Sequence, residues 1–444
     1  MTKIGYINFK QTEIGLIPED WEVLKLGDIV NEVISGDWGN SKPSDKEELI
    51  KCKVVRGTDF SKLEKITFSD IPERFLKASS LEKRAIKSGD LLIEISGGSK
   101  DQPTGRVFYA CDEILDKAVS PLMFTNFVKL IRVNEDIAHS EYAYRYWQYL
   151  YSSGRTRIYE KQTTNIRNFK YNDFLESEVI SLPSLPEQRK IAKVLSTIQR
   201  AIEQQDKIIE ATRKVKNSLM HKLFTEGLNG EEQKETEIGL IPKNWEVVRL
   251  EEMFDMQQGK AMSPKSRLGI SPHPFLRTIN ILWGNVDLSI LDHMDFTDEE
   301  MTKLCLQPDD LLVCEGGEIG RTAMWRGEIE VCGYQNHIHR LRKQRQDICP
   351  EFYMYWMQAA FLIFGLYAGE EIRTTIPNLS RGRLKSFLIP KPPFSEQQEI
   401  AHILSTVDKK IEVEEKRKAT LKELFRTTLH KLMAGEIRLK DMEI

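Results

Sequence analysis

The chain has 444 residues, of which 40% are apolar and 30% charged, with a formal net charge of −3. This balance is typical of a globular protein with enough apolar material for more than one core. No segment approaches the ~20 apolar residues of a membrane span, and the N-terminus has no apolar signal segment, so we expect a cytoplasmic protein without membrane association. The six cysteines include no C-x-x-C pair, which predicts isolated thiols rather than disulfides or a zinc site.

The chain repeats itself from its first motif onward. Residues 12–18 read TEIGLIP and are followed by W-E-V at 21–23; the same residues return at 236–242 and 245–247, an offset of 236 − 12 = 224. Identity of this length predicts two copies of one domain. We expect Trp21 and Trp245 to be buried where each copy begins.

The next elements are short apolar runs separated by Gly and Pro turns. Leu91–Ile95 and Leu311–Cys314 are predicted strands at matching places, and helical stretches follow near 140–151 and 350–364. The helical stretches are rich in aromatic residues at helical spacing, which favours core packing over base stacking. These aromatic residues are Tyr142, Tyr144, Tyr146 and Trp147 in the first copy and Phe352, Tyr353, Tyr355 and Trp356 in the second.

Motifs for catalysis are not found in either copy. The chain has no N-P-P-[FY] motif of amino methyltransferases and no P-loop. Asp309 and Glu315 resemble nuclease acids, but the lysine of such a core is missing. The glycines at 97–98 and 316–317 are interpreted as turns or as loops whose backbone a ligand can approach closely. His337 and His339 could share a strand face, but a metal site would need a third ligand.

Two long charged segments have the period of a coiled coil. Glu187–Glu226 contains no Pro or Gly, and its apolar residues alternate at steps of three and four, as do their counterparts 209 positions later (400 − 191). The predicted seam is Ile191, Leu195, Ile198, Ile202, Ile209, Leu219 and Leu223 with Ile400, Leu404, Val407, Ile411, Leu421, Phe425 and Leu432. The polar seam residues Gln205, Thr212, Lys216, Glu414 and Lys418 either fix the register or mark where the seam meets water.

Connectivity predicts the orientation of these helices. Only the eight residues 228–235 separate the first helix from the second TEIGLIP motif, and a domain of ~150 residues cannot easily return the chain over the ~60 Å that a parallel pair requires. We therefore predict an α+β protein in which two related mixed domains are separated by an antiparallel coiled coil. The predicted boundaries are 1–182 for the first domain, 183–227 for the first helix, 228–390 for the second domain with its linker 228–235, and 391–444 for the second helix and tail.

Two related domains held apart suit a two-part linear target such as DNA. Basic residues are grouped at 155–170 in the first copy and at 339–345 and 381–385 in the second, where they could hold phosphates. A charge run alone is more often a solvated face, but these runs recur in both copies.

Taken together, the motifs resemble those of the specificity (S) subunit of type I restriction–modification systems, the HsdS family. The resemblance covers nearly the whole chain: TEIGLIP and W-E-V open each half, Asp90-Leu91-Leu92 and Gly105-Arg106 recur in mid-domain, and E-Q-x-x-I-A-x-x-L-S-T opens each long helix. It implies two target recognition domains that each read one half of a split, asymmetric site in double-stranded DNA. It also implies that the helices are a spacer and a docking surface.

The resemblance further implies the partners and the absence of catalysis. Modification (methyltransferase) subunits, two in number, and translocating restriction subunits would carry the chemistry. S-adenosylmethionine, ATP and magnesium would bind to those partners, and this chain would bind no cofactor or metal. The alternatives are a coiled-coil scaffold, a stand-alone bipartite DNA-binding protein without restriction partners, and a fused nuclease or methyltransferase.

Candidate DNA-contacting residues lie at matched turns of the two halves. A T-T…N stretch recurs in both halves but is less regular in the first, which weakens the assignment of Asn168 relative to Asn378. Arg56 and Arg277 could equally form structural ion pairs. The candidates are Arg56, Lys100, Arg106, Thr163, Thr164, Asn168, Arg277, Arg321, Gln335, Asn336, Arg373, Thr374, Thr375 and Asn378.

Overall fold

The computed structural model describes residues 8–43, 48–99, 102–163, 166–367 and 378–443, without the side chains of Thr163 and Lys265. The chain forms two compact units. Unit 1 contains residues 1–204 and 418–444, and unit 2 contains residues 205–417. Each unit therefore combines one globular domain with parts of both long helices.

Unit 1 begins with short strands, continues to the first part of the first long helix and also includes the last part of the second long helix. Its strands are β1 (Phe9–Thr12), β2 (Gly15–Pro18), β3 (Glu22–Lys25), β4 (Val30–Ser35), β5 (Leu49–Val55), β6 (Glu73–Lys77), β7 (Leu91–Glu94), β8 (Ser96–Gly97), β9 (Val107–Tyr109), β10 (Leu122–Phe124), β11 (Val128–Val133), β12 (Glu160–Thr163), β13 (Ile166–Phe169) and β14 (Val179–Leu182). Its helices are α1 (Phe60–Glu64), α2 (Ala78–Arg84), α3 (Asp112–Leu115), α4 (Ser140–Ser152), α5 (Tyr171–Ser177) and the first part of α6 (Leu185–Glu226).

Unit 2 follows the same plan. Its strands are β15 (Gln233–Thr236), β16 (Gly239–Pro242), β17 (Glu246–Arg249), β18 (Phe254–Gln258), β19 (Pro272–Leu276), β20 (Asp292–Asp295), β21 (Leu311–Cys314), β22 (Thr322–Met324), β23 (Gly333–Tyr334), β24 (Ile338–Lys343) and β25 (Leu388–Lys391). Its helices are α7 (Leu250–Met253), α8 (Asp298–Leu304), α9 (Pro350–Leu362), α10 (Arg381–Lys385) and the first part of α11 (Phe394–Met433).

Strand order confirms that the two units repeat one mixed fold. The four-stranded sheet β4-β11-β7-β9 of unit 1 corresponds to β18-β24-β21-β22 of unit 2, and β10-β5-β6 corresponds to β23-β19-β20. The pairs β10–β5 and β23–β19 are parallel in both units, and their neighbours are antiparallel. The sequence repeat and the topological repeat therefore agree.

Local geometry explains why the opening motif repeats. The hydroxyl of Thr12 donates to the carbonyl of Gly15 at 2.8 Å, and Thr236 donates to Gly239 at 2.7 Å. Gly15 and Gly239 have φ of +102° and +90°, a region that favours glycine. Trp21 and Trp245 are fully buried, as predicted.

The aromatic helices α4 and α9 lie in the cores of their units. All eight aromatic residues predicted to be core are buried. In unit 1 the hydroxyl of Tyr142 donates to the carbonyl of Ser181 at 2.6 Å, which satisfies its buried polar atom. Ile191 and Leu195 of α6 pack in the same core, so α4 and the long helix are joined.

The long helices pair in antiparallel fashion, as predicted. Within unit 2, Gln205 bonds to Glu414, while Lys216, further along α6, bonds to Asp408, which lies earlier on α11. The numbering therefore runs in opposite directions along the two helices. All fourteen predicted seam residues are buried or half-buried.

Three of the five polar seam residues are shielded from water, and the other two, Thr212 and Lys418, are half-buried. Gln205, Lys216 and Glu414 are all buried, with partners described below. The heptad pattern does not include four buried residues beside the seam. These residues, Met220, Phe224, Leu429 and Met433, belong to the apolar cores of the globular parts.

Candidate nucleic-acid interface

The turns of unit 1 are organised around the buried carboxylate of Glu94. Arg106 donates to both of its oxygens, at 2.9 and 2.7 Å. A Cβ at Gly57 would lie 2.5 Å from Glu94 Oε1, so the turn that carries Arg56 can approach this pair only because residue 57 is glycine. Arg106 is thus held by protein, with only part of its guanidinium exposed.

Arg56 forms a second ion pair in the same region. Its Nε and Nη2 donate to the two oxygens of Asp59 at 2.8 and 2.9 Å. Burial opposes ionisation of Asp59, but hydrogen bonds from the Arg56 side chain and backbone N–H bring the pKa of this carboxyl below its ordinary value. Arg56 therefore forms the structural ion pair that was one of its two predicted roles. A DNA contact by this residue stays a prediction.

A three-stranded sheet of unit 1 includes the backbone of Thr163 and Asn168 from the predicted T-T…N stretch. Strand β13 lies between β12 and β8, with Arg167 opposite Gly97 and Asn168 opposite Ser96. Glu160 on β12 accepts hydrogen bonds from the backbone N–H and hydroxyl of Thr104, at 2.5 and 2.8 Å. The Gly-rich segment and the predicted stretch are thus brought together. Thr163 ends β12, whereas Thr164 and Lys100 lie outside the described residues.

Most of the basic group at 155–170 is neutralised by nearby acids. Arg155 pairs with Glu178 at 2.9 Å, Arg167 with Glu160 at 3.0 Å and Lys170 with Asp173 at 3.1 Å.

Two exposed cations remain in this group. Within the described part of the chain, Arg157 and Lys161 form no ion pair. In this region, these two side chains are the cations that can bind a phosphate.

In unit 2 the corresponding turns meet at Glu315. Gln258 donates to Glu315 Oε2 at 3.1 Å and to the carbonyl of Asn336 at 2.9 Å, and the N–H of Leu379 donates to the carbonyl of Glu315 at 2.8 Å. Asn336 is half-buried and Asn378 is exposed, so the structure brings these two predicted residues to neighbouring turns.

Other predicted residues of this part of unit 2 are less open or fall outside the structure. Gln335 is buried, with its N–H bonded to the carbonyl of Leu276. Arg373, Thr374 and Thr375 lie outside the described residues.

His339 stabilises this arrangement as a neutral side chain. It is fully buried, and its Nε2 lies 3.0 Å from the carbonyl of Leu379. Burial lowers its pKa, so the ring can donate to this carbonyl without carrying charge. Among the described residues there is no group of three or more His, Cys, Asp or Glu that could hold a metal ion.

Equivalent positions of the two units carry different side chains. Cys314 stands where unit 1 has Glu94, and Arg321 donates instead to the carbonyl of Thr278 at 3.0 Å. Asn280 stands where unit 1 has Asp59, and Arg277 pairs with Asp292 at 2.7 Å. The two units therefore share one scaffold but differ in the polar side chains at its turns.

The basic run at 339–345 is structural rather than an open positive surface. Its arginines and lysine lie on or just after β24, and each pairs with a carboxylate. The pairs are Arg340 with Asp255, Arg342 with Asp310, Lys343 with Asp309 and Arg345 with Asp347. In the second run, Arg381 is exposed, with no ion-pair partner among the residues that the structure describes.

Sequence reasoning missed a matched pair of glycines beside these turns. A Cβ at Gly36 would lie 2.1 Å from the carbonyl oxygen of Thr125, and one at Gly259 would lie 2.3 Å from that of Tyr334. Their offset, 259 − 36 = 223, is close to that of the opening motif and could have revealed them. Gln258 and Glu160 gave no such signal, because their partners are distant in sequence.

Comparison with known proteins identifies the class to which these features belong. Residues 18–213 and 242–423 match the family model of the type I restriction modification DNA specificity domain. Because the two matches together cover most of the chain, the chain belongs to this family.

Full-length relatives agree with that assignment. The chain is 27% identical over 451 residues to the type I restriction enzyme MjaVIII specificity subunit of Methanocaldococcus jannaschii, covering 98% of this chain and 97% of the relative. It is 26% identical over 456 residues to the putative MjaX specificity subunit of the same organism, with the same coverage. The predicted resemblance to the specificity subunits of type I systems is thereby confirmed.

Solved structures show the same fold. The crystal structure of the type I restriction–modification S subunit from M. genitalium superposes with a TM-score of 0.54 at 16% identity, over 97% of this chain and 98% of that one. A chain from a study of type I R-M complex assembly and conformational transition gives 0.55 at 16% identity, over 95% and 99%. No helix in the described ranges is long and apolar enough to cross a membrane.

Proposed function

We propose that each unit reads one half of a bipartite, asymmetric site in double-stranded DNA, and that the long helices set the distance between the halves. The observation that carries this proposal is the pairing of a common scaffold with unlike polar side chains at equivalent turns, as at Glu94 and Cys314. A shared fold supports a shared mode of docking. Unlike side chains support different base sequences in the two halves.

The contacts would divide into phosphate and base contacts. Arg157 and Lys161 in unit 1, and Arg381 in unit 2, are exposed cations suited to phosphates. Asn378, Asn336 and Asn168 carry amides that can bond adenine, and they lie at or beside the turns described above. We rank Arg56 and Arg106 lower, because their guanidinium groups are held by Asp59 and Glu94.

The partners follow from the same proposal. The chain would dock two modification subunits on its helices and recruit restriction subunits in the cytoplasm. S-adenosylmethionine, ATP and magnesium would be bound by those subunits, and this chain would contribute recognition and assembly only.

A salt titration tests DNA binding by the protein. The full chain, alone and with its modification subunit, is titrated against labelled duplex DNA by fluorescence anisotropy from about 50 to 200 mM salt. Affinity should fall steeply with salt, and the double variant R157A/K161A should reduce the slope of log K against log salt by about two, since each phosphate contact contributes about 0.9.

The matched control is K117A, which removes an exposed lysine that pairs with Glu113 on α3. It should leave both affinity and slope unchanged. Equal loss in the control and the double variant, or salt-independent binding, would contradict the proposed interface and favour a coiled-coil scaffold.

A further inference from the structure

Equivalent residues of the repeat face each other in the helix pair. Gln205 and Glu414 differ by 414 − 205 = 209, the same offset as between Ile191 and Ile400. Gln205 Nε2 donates to Glu414 Oε2 at 2.5 Å and to the backbone carbonyl of Glu414 at 3.2 Å. Only 3% of Gln205 and 4% of Glu414 is exposed. Two antiparallel copies of one helix meet at equivalent positions at a single level, and this chain places unlike residues there.

The two residues are complementary because they differ. The amide of Gln205 is a donor, and the carboxylate of Glu414 accepts from it and from Lys410, one turn earlier on α11. These bonds lower the pKa of the Glu414 carboxyl, so it remains ionised. Two facing glutamates would instead place two carboxylates in one buried layer, which is unfavourable.

A second polar layer lies next to the level of Gln205 and Glu414 in unit 2. Lys216 is buried, with its Nζ 2.7 Å from Asp408 Oδ1 and 5.0 Å from the ring centroid of Tyr355 on α9. The hydroxyl of Tyr355 donates to Asp408 Oδ2 at 2.7 Å. The cation is therefore on the long helix, and the aromatic ring is on the globular domain.

In unit 1 the equivalent layer has the opposite arrangement. The counterparts of Lys216, Asp408 and Tyr355 are residues 425, 199 and 145 by offsets of 209, 209 and 210. They are Phe425, Gln199 and Arg145, and the guanidinium of Arg145 lies 5.6 Å from the Phe425 ring centroid. Here the aromatic ring is on the long helix, and the cation is on the globular domain.

We propose that these layers form a pairing code that makes α6 and α11 complementary to each other and repulsive toward second copies of themselves. Pairing of α6 with a second α6 would place Lys216 against Arg145. Pairing of α11 with a second α11 would place Glu414 against Glu414 and Phe425 against Asp408.

The code would therefore direct each chain to pair one first-half helix with one second-half helix. The exposed pair Arg213–Glu415 does not contribute to the code. At the position that corresponds to Glu415, α6 carries Asp206, so both helices have an acid there and this pair does not distinguish them. This inference is independent of DNA binding.

Transplanting the layer of unit 2 into unit 1 tests the code. In the full chain, F425K replaces a half-buried ring with a lysine beside Arg145 and should lower Tm by roughly 5 °C or more, because two cations then share one layer. Adding R145Y and Q199D recreates the arrangement of unit 2 and should recover most of that loss. The control L424K changes an exposed neighbour on α11 and should leave Tm within about 1 °C.

Thermal unfolding followed by circular dichroism at pH 7 gives the result. A triple variant that is no more stable than F425K would overturn the proposal, since packing alone would then explain the loss.

A second variant keeps the test valid if F425K does not fold. Q205E creates facing carboxylates and should lower Tm at pH 7, with the loss shrinking toward pH 5 as one of them binds a proton. E414Q, which leaves facing amides, should show no such pH-dependent loss. A Q205E loss that does not depend on pH would contradict the code.

Discussion

Glu187 and Glu396 occupy equivalent positions at the starts of the two long helices, but only Glu187 meets a cation. Arg438 donates to both oxygens of Glu187, at 2.8 and 2.7 Å, and the N–H of Leu439 adds a third bond at 2.9 Å. Glu396 is also buried and accepts from the indole of Trp245 at 3.0 Å, but within the described chain it forms no ion pair. Burial raises the pKa of the Glu396 carboxyl, and the charge of Glu231 adds to this effect.

Neutralising these two acids should change stability in opposite directions. E187Q leaves Arg438 with less compensation and should lower the free energy of unfolding by roughly 3 kcal/mol at pH 7. E396Q removes a buried charge that costs stability, because stability is lost as pH rises from the ordinary carboxyl pKa through the raised folded-state pKa. This variant should therefore be more stable than the wild type at pH 7. Urea unfolding of both variants measures the two changes in the free energy of unfolding. Two losses of similar size would contradict this account of Glu396 in unit 2.

His339 should make the stability of unit 2 depend on pH. Because burial lowers its pKa in the folded state, the unfolded chain binds a proton first as pH falls below about 6.5. Stability is therefore lost from that pH downward until the folded-state pKa is reached. Thermal unfolding between pH 7.5 and 5.5 should show this loss, and H339Q should reduce the slope at some cost in Tm.

The control for this measurement is H402Q, which changes an exposed histidine on α11. It should retain the wild-type slope. A wild-type slope in H339Q as well would show that other groups account for the pH dependence.

At this scale the sequence predicted burial better than it predicted partners. Trp21 and Trp245 were predictable because they stand in identical contexts, and the aromatic residues of α4 and α9 because they recur at helical spacing. The run from His339 to Arg345 looked like an open basic surface in the sequence. Its basic side chains pair with carboxylates that include Asp347, two residues after the run, and Asp255, which is far away in the sequence. Which residues contact bases stays a prediction, because no DNA-bound geometry can be read from spacing alone.

At the scale of elements, the heptad pattern predicted the helix pair, and the short linker 228–235 predicted its antiparallel orientation. The steps of three and four continue through Gln205 and Lys216, which is why polar residues could be placed in the seam before their partners were known. The pattern could not reveal Phe224 or Leu429, because each lies one position off the alternating steps of four and three.

The helix pair can be tested as a spacer by lengthening it. One heptad added to each helix at the level of Gln205 and Glu414 preserves the seam and extends the pair by about 10 Å. At ~3.4 Å per base pair, the gap between the half-sites should grow by about three base pairs. Methylation motifs of the lengthened and native proteins give the two gaps.

A control insertion of seven residues into a loop, for example at Gly230, should leave the gap unchanged. A native gap in the lengthened protein would mean that the helices do not set the spacing.

At the scale of the whole molecule, one fold is used twice with different polar residues. The repeat of strand order was predictable from matched motifs, and the difference between the units from the divergence between those motifs. The base sequences are not predictable, because Glu94 and Cys314, or Asp59 and Asn280, specify the environment of an arginine rather than the base it faces.

The most direct measurement is a methylation map of the source genome, by long-read sequencing, with and without this gene. We expect a split motif with two unlike halves to lose methylation when the gene is deleted and to regain it on complementation. If every methylated motif persisted in the deletion strain while the modification subunit was present, the chain would not be the component that selects the sites.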